Sequence, residues 1–280
     1  DNTAIGTEAL RQNQYGIQNT TIGSNSLYTN DASFNTAVGY QSLHKNIDGS
    51  SNAALGWNSS YNNEHGEFNV AIGPESLFNS DNSENTAVGF RSLYTNSLGS
   101  SNTAIGFKSE YLNQHGTENV AIGSGSLYTN DNSQNVAIGY QSAYNSNSEG
   151  ITSIGWKSLF NNTNGSDNLS IGKSSLFTNT TGSENISIGN LSLYNSNSSN
   201  NVAVGNNALY NSTGSDNIAI GRKAGYNNTT GSRNIIIGSD SNILSSGINR
   251  NTILGTNSTS DASHSIIIGS DVVMGSNALN

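Results

Sequence analysis

Apolar residues along this chain come in clusters of three, set in longer polar intervals, and the clusters recur on a steady beat. Each cluster reads Asn-Thr-Ala-Ile-Gly or a close variant, from Gly6 to Gly269. The seventeen motif glycines follow one another at 16 or 17 residues, with a last step of 14. Alternation over three residues is the period of a strand, and no segment sustains a helical period. A repeat this short cannot bury a face alone, so it must stack on copies of itself. The pattern predicts an all-β parallel β-solenoid of about 17 rungs of 16–17 residues, with a repeat domain over 1–269 and an end segment over 270–280. At ~4.8 Å per rung, such a stack extends roughly 80 Å.

Alignment on the glycine separates the columns. Four residues before it, Asn stands in 15 of 17 rungs, including Asn19, Asn35, Asn52, Asn69, Asn85, Asn102, Asn119 and Asn135; Ile151 and Ser265 are the exceptions. Amides stacked at strand spacing can hydrogen-bond along the stack. Next to the glycine comes Ile, Val or Leu, which we assign to the interior together with the Thr, Val or Ile two residues earlier. Between them lies a small residue, such as Ala37, Ala104 or Ser153, that grows apolar in Ile235-Ile236-Ile237 and Ile266-Ile267-Ile268. A strand apolar on both faces must be covered on both, and the second cover is expected to be another copy of the chain.

Three residues after the glycine, Ser or Ala runs without a break from Ala9 to Ser258. Two positions further on stands an aromatic column: Tyr28, Tyr61, Phe78, Tyr94, Tyr111, Tyr128, Tyr144, Phe160, Phe177, Tyr194, Tyr210 and Tyr226, with His44 in one rung. Stacked rings form a structural spine, each pair adding roughly 0.5–1.5 kcal/mol beyond its buried area. The intervals that follow are turn residues, as in Asn161-Asn162-Thr163-Asn164-Gly165-Ser166. Each rung thus reads as two short strands and two corners.

Composition narrows the function. Charged residues are only 10% of the chain and the net charge is -9, so nucleic acid, which needs clustered Lys and Arg, is not an expected partner. There are no cysteines, hence no disulfide or thiolate metal site. No apolar run approaches the ~20 residues of a spanning helix, and no membrane insertion is expected. Four scattered histidines (His44, His65, His115, His264) and no nucleophile elbow, phosphate loop or metalloprotease motif give no catalytic constellation. We therefore expect no enzyme, no cofactor and no metal.

The register Asn-Thr-Ala-Val-Gly-Phe-Arg-Ser from Asn85 to Ser92, and Asn-Val-Ala-Ile-Gly-Tyr-Gln-Ser from Asn135 to Ser142, resembles the YadA-like head repeat of trimeric autotransporter adhesins. That resemblance implies a left-handed β-roll, with three chains side by side as a homotrimer. The longer rung here, with Leu-Tyr-x-Asn and a Gly-Ser corner, is similar to repeats in tail fibres of phages and related injection machines. Such fibres are often released by a self-cleaving chaperone, a cut that the end at Ala278-Leu279-Asn280 would suit. The resemblance implies an extracellular location, on a virion or particle fibre or on a bacterial surface, and a role in attachment to a host. An adhesin head and a pure spacer are the alternatives. An ice-binding solenoid is remote, because the Thr column is interrupted by Ala53, Val70, Val120 and Val136.

Directly after the glycine, aromatics come in adjacent pairs: Tyr40 and Trp57, Phe90 and Phe107, Tyr140 and Trp156. Flat rings on a polar surface are a platform for sugars, and these six are the candidate glycan-binding residues. Filling of grooves between chains is the competing reading. A 50-residue duplication, which also aligns Tyr15, His65 and His115, is another.

Overall fold

In the computed structural model, which describes residues 1–275, every rung places its apolar triplet in a three-residue strand. The chain divides into two compact units, Asp1–Tyr140 and the residues from Gln141 onward. The first unit holds nine such strands, from Thr3–Ile5 to Val136–Ile138. Neighbours pair in parallel with no stagger, as in Thr86↔Thr103, Ala87↔Ala104 and Val88↔Ile105. The second unit stacks eight more, from Thr152–Ile154 to Ile266–Ile268, in the same register. It adds a small parallel ladder of Asn242–Ile243, Thr259–Ser260 and Val273–Met274. Each unit is a parallel β-solenoid. Among the described residues there is no helix, and none long and apolar enough to cross a membrane. Ala278-Leu279-Asn280 lie outside the described residues.

The interior is the reverse of the one expected. The middle residue of each strand points inward: Ala37, Ala71, Ala87, Ala104, Ala121 and Ala137 are fully buried. The two flanking residues point outward, and Ile22, Leu55, Ile72 and Ile105 are 41%, 50%, 40% and 37% exposed. Residue size misled the assignment. A narrow rung leaves room for only a methyl group beneath the strand, because the opposite wall fills the rest with Leu.

That wall is not a second strand in most rungs but a turn in which the sign of φ alternates. After Gly39 (φ 134°), Gln41 and Leu43 adopt φ of 54° and 48°, and the same alternation recurs along both units. Left-handed backbone costs a non-glycine residue about 1–2 kcal/mol. Here it aims Leu27, Leu43, Leu77, Leu93, Leu127, Leu159, Leu176, Leu193 and Leu209 at the interior, all fully buried. Burying each such side chain returns about 1.5–3 kcal/mol, enough to offset the strain at the leucine itself. The alternation also reverses the direction of the backbone donors. Gly39 and Gln41 donate to the preceding rung (Ile22 O, 2.8 Å; Ser24 O, 3.0 Å), whereas Leu43 and Lys45 donate to the following one (Ser59 O, 3.0 Å; Tyr61 O, 3.1 Å). Glycine is required at the motif position, since a Cβ on Gly106 would lie 2.6 Å from the carbonyl oxygen of Gly123.

The Asn column forms a ladder, though not of amide on amide. Each side-chain oxygen accepts the backbone N–H of the next Asn, as from Asn35 to Asn19, Asn52 to Asn35 and Asn69 to Asn52, all at 2.9 Å. Most of the Nδ2 groups donate across the rung to a corner carbonyl, as from Asn52 to Gly66 and from Asn102 to Gly116 at 2.8 Å. A second buried Asn column, hidden among residues that read as exposed turn, closes the same corner: Asn46 donates to Gly49 O at 2.8 Å and Asn63 to Gly66 O at 2.9 Å. The core is therefore half polar, and most of its amides are paired as buried amides must be, Asn228 Oδ1 and Asn251 Nδ2 being left without a partner.

Candidate functional site

The alternating turn sends successive side chains in and out, so the residue directly after each glycine stands proud of the surface. Tyr40, Trp57, Phe107, Tyr140 and Trp156 are 45–53% exposed, and Phe90 is half-buried. Phe90 and Phe107 stack with centroids 5.6 Å apart and planes 19° apart. No stacking joins Tyr40 to Trp57. Tyr140 closes the first unit, while Trp156 belongs to the second.

Four residues further along, the aromatic column stacks as expected. Ring centroids from Tyr28 through His44, Tyr61, Phe78, Tyr94 and Tyr111 to Tyr128 are 5.0–5.3 Å apart. From Tyr144 to Tyr226 they are 5.0–5.4 Å apart. The column is half-buried on the outer surface, not inside, because the Leu before each ring takes the interior position.

Between these two sets of rings lie cations. Arg91 sits 5.0 Å from the Phe90 centroid and 5.3 Å from that of Tyr94; Lys108 bridges Phe107 and Tyr111 at 5.5 and 5.2 Å. Lys157 bridges Trp156 and Phe160 at 4.9 and 5.1 Å, and Lys173 of the next rung lies 5.3 Å from Trp156. Arg91 is also paired with Glu75 at 2.5 Å, a hydrogen bond that raises its pKa further. The signal was present in the sequence. Eight of the ten Lys and Arg lie within six residues after a motif glycine, against six of the nineteen carboxylates. Where rungs carry charge, the cations thus gather at the aromatic corner and most of the acids at the polar one.

At the acidic corner, Asp31, Asp81 and Asp131 repeat at 50 residues, each accepting two backbone N–H groups of the preceding rung: Gln14 and Tyr15, Glu64 and His65, Gln114 and His115. The alignment of Tyr15, His65 and His115 is therefore a shared corner geometry. Burial alone raises the pKa of Asp131, but hydrogen bonds from His115 and from its backbone outweigh that and lower it. His65 is raised, chiefly by its 2.6 Å hydrogen bond to Asp48. Glu64, His65 and Asp81 bring one potential ligand atom each within 4.8 Å of one another, a cluster assembled across two rungs that the sequence reading did not find. Asp81 already spends one oxygen on two amides, which makes the group a corner clamp first.

One titratable group is wholly buried. Glu110 takes the inward position that Leu93 and Leu127 fill in the neighbouring rungs. Its Oε1 accepts Asn119 Nδ2 at 2.8 Å and Asn113 Nδ2 at 3.1 Å, while Oε2 has no partner. Burial pushes its pKa up to about 8, against the pull of Asn119.

Two surface hollows, of about 520 and 420 Å³, lie at the acidic corner. The first is bounded by Arg11, Asn13, Asp31 and Ile47, and the second by Asp216, Arg233, Arg250 and His264. Neither adjoins the exposed rings named above. No protein-family model matches the chain, and no curated protein matches its sequence.

Proposed function

We propose that the chain is a segment of a non-enzymatic, homotrimeric attachment fibre that works outside the cell, on a phage-type or injection-machine particle, and holds surface glycans of its target. The observation that carries the reading is the outward sheet face. Two columns of Ile, Leu, Val and Thr run along it half-exposed, from Ile22 to Ile105 in the first unit and from Ile186 to Ile268 in the second. Covering a half-exposed Ile or Leu is worth about 1 kcal/mol, and the gain recurs at every rung. A contiguous apolar face of this kind marks an interaction surface. The resemblance to trimeric head and fibre repeats supports a second and third copy as its cover.

The exposed rings support the glycan half of the reading. These rings stand outside both the interior and the sheet face, where flat aromatic surface can meet a sugar ring. Repetition over three chains multiplies weak contacts, with avidity gains of roughly 10²–10⁴ where the geometry permits. The test is a chain carrying Trp57→Ala and Trp156→Ala. We expect an unchanged melting temperature and oligomeric mass with weaker attachment to target cells. Loss of the oligomer with unchanged attachment per folded assembly would assign the rings to packing between chains.

A further inference from the structure

We propose that the corner formed by Trp156, Lys157 and Lys173 binds a carboxylate-bearing saccharide. This rests on the attachment reading and names the sugar class. Trp156 is 45% exposed, and two ammonium groups lie within 4.9 and 5.3 Å of its ring, one from its own rung and one from the next. Neither lysine is engaged in an ion pair among the described residues. The acids nearest to them along the chain, Glu149, Asp167 and Glu184, are six or more residues away, and none is paired with either lysine. In a chain of net charge -9 this is an uncompensated positive site on a surface whose acids gather at the opposite corner.

The chemistry follows from the pairing of a ring with two cations. An indole face receives the C–H side of a pyranose, and an ammonium beside it receives a charged substituent on the same sugar. The ring also holds the two long side chains near the site, which lowers the entropy lost when an anion arrives. Lysine is a point charge with rotatable donors, so it can leave the ring and follow a carboxylate. A neutral sugar would use the ring and leave both charges idle. Nucleic acid would need a longer cationic track than two residues. The first unit has a weaker version of the arrangement: Phe107 carries Lys108, but the neighbouring Arg91 is neutralised by Glu75.

The experiment measures binding of the intact chain to three immobilised carboxylate-bearing polysaccharides (polygalacturonate, hyaluronate and polysialate), with dextran as the neutral polymer and duplex DNA as the non-saccharide polyanion. Expected is salt-sensitive binding to at least one acidic polysaccharide. It should weaken roughly tenfold or more in Lys157→Gln/Lys173→Gln, a change at the half-buried Lys157 and the exposed Lys173 that leaves the melting temperature nearly unmoved. Trp156→Ala should lose the same binding, whereas Lys108→Gln should keep most of it. The proposal is overturned if no acidic polysaccharide binds, if the double variant binds as well as the parent, or if DNA binds equally. Should Lys157→Gln/Lys173→Gln still attach to cells while the Trp57→Ala/Trp156→Ala chain does not, the glycan is neutral, and the attachment reading survives without this one.

Discussion

Within the second unit, the rungs up to Leu209 and those from Gly225 onward fill the same interior from opposite walls. In the earlier rungs the strand contributes a small residue, such as Ser153, Ser170, Ser187 or Ala203, and the turn contributes Leu159, Leu176, Leu193 or Leu209. From Gly225 the turn offers no Leu, and the strands bring in Ile236, Ile253 and Ile267 instead. The exchange is physical as well as numerical. A Cβ on Gly225 would meet Leu209 Cδ2 at 2.9 Å and Ile236 Cδ1 at 3.0 Å, so the space is already taken. What the rung preserves is filled volume, as close-packed interiors require.

The backbone changes with it. Asn242, Thr259 and Val273, which stand where Leu209 does, no longer have positive φ, and short strands replace the alternating turn. Thr259 and Val273 are β-branched, and such residues are genuine outliers in the left-handed region. Extended backbone then moves the inward position one residue on, and Ile243 is buried where earlier rungs place a half-exposed ring. The aromatic column ends at Tyr226 for that reason.

The largest expected effect breaks the volume rule on either side. Leu176→Ala and Ile253→Ala should each lower stability by about 2–5 kcal/mol, read from the urea midpoint, although one side chain comes from the turn and the other from a strand. A loss confined to Leu176→Ala would show that the late rungs are held by something other than the interior. Next in size is Gly225→Leu, which restores the earlier pattern in an occupied space and should cost about 1–3 kcal/mol. Adding Ile236→Ala should recover part of that loss. Additive costs would mean that the two residues do not share the volume.

A smaller, pH-dependent effect belongs to Glu110, a polar residue in the Leu column. Its folded pKa of about 8 lies above the ordinary 4.5, so the folded chain binds the proton more tightly than the unfolded one. Its contribution is therefore full below about pH 4.5, falls as pH rises towards 8, and stays lost above that. Melting temperatures of the parent and of Glu110→Gln should diverge between pH 5 and pH 9, the parent falling by comparison. Parallel curves would show that the carboxyl is not buried as described.

Much of this architecture was legible in the sequence. The period fixed the rung, the glycine register fixed the pairing, and the aromatic column announced a stack. The inward and outward assignment was not, because a strand of three residues alternates only once and the larger flanking residues look like core. The Leu wall was also missed, since a left-handed Leu carries no local signature and its column lies in what reads as a turn. The six rings after the glycines, five exposed and Phe90 half-buried, were found from their spacing. The cations over them were overlooked because net charge averages two corners of opposite sign. The Glu64, His65 and Asp81 group joins residues 16 or 17 apart, and only the register of the corner brings them together.

The corrected interior sharpens the case for association, because the face left outside is now the more apolar one. Ile138 lies half-buried on it, whereas Ala137 beside it is inside. Ile138→Asp should therefore dissociate the assembly and leave the rung folded, while Ala137→Asp should unfold it. The most direct measurement is the mass of the intact chain in solution by light scattering at micromolar concentration. The account predicts three times 29.3 kDa for the parent and 29.3 kDa for Ile138→Asp. A parent chain that remains a monomer would contradict it.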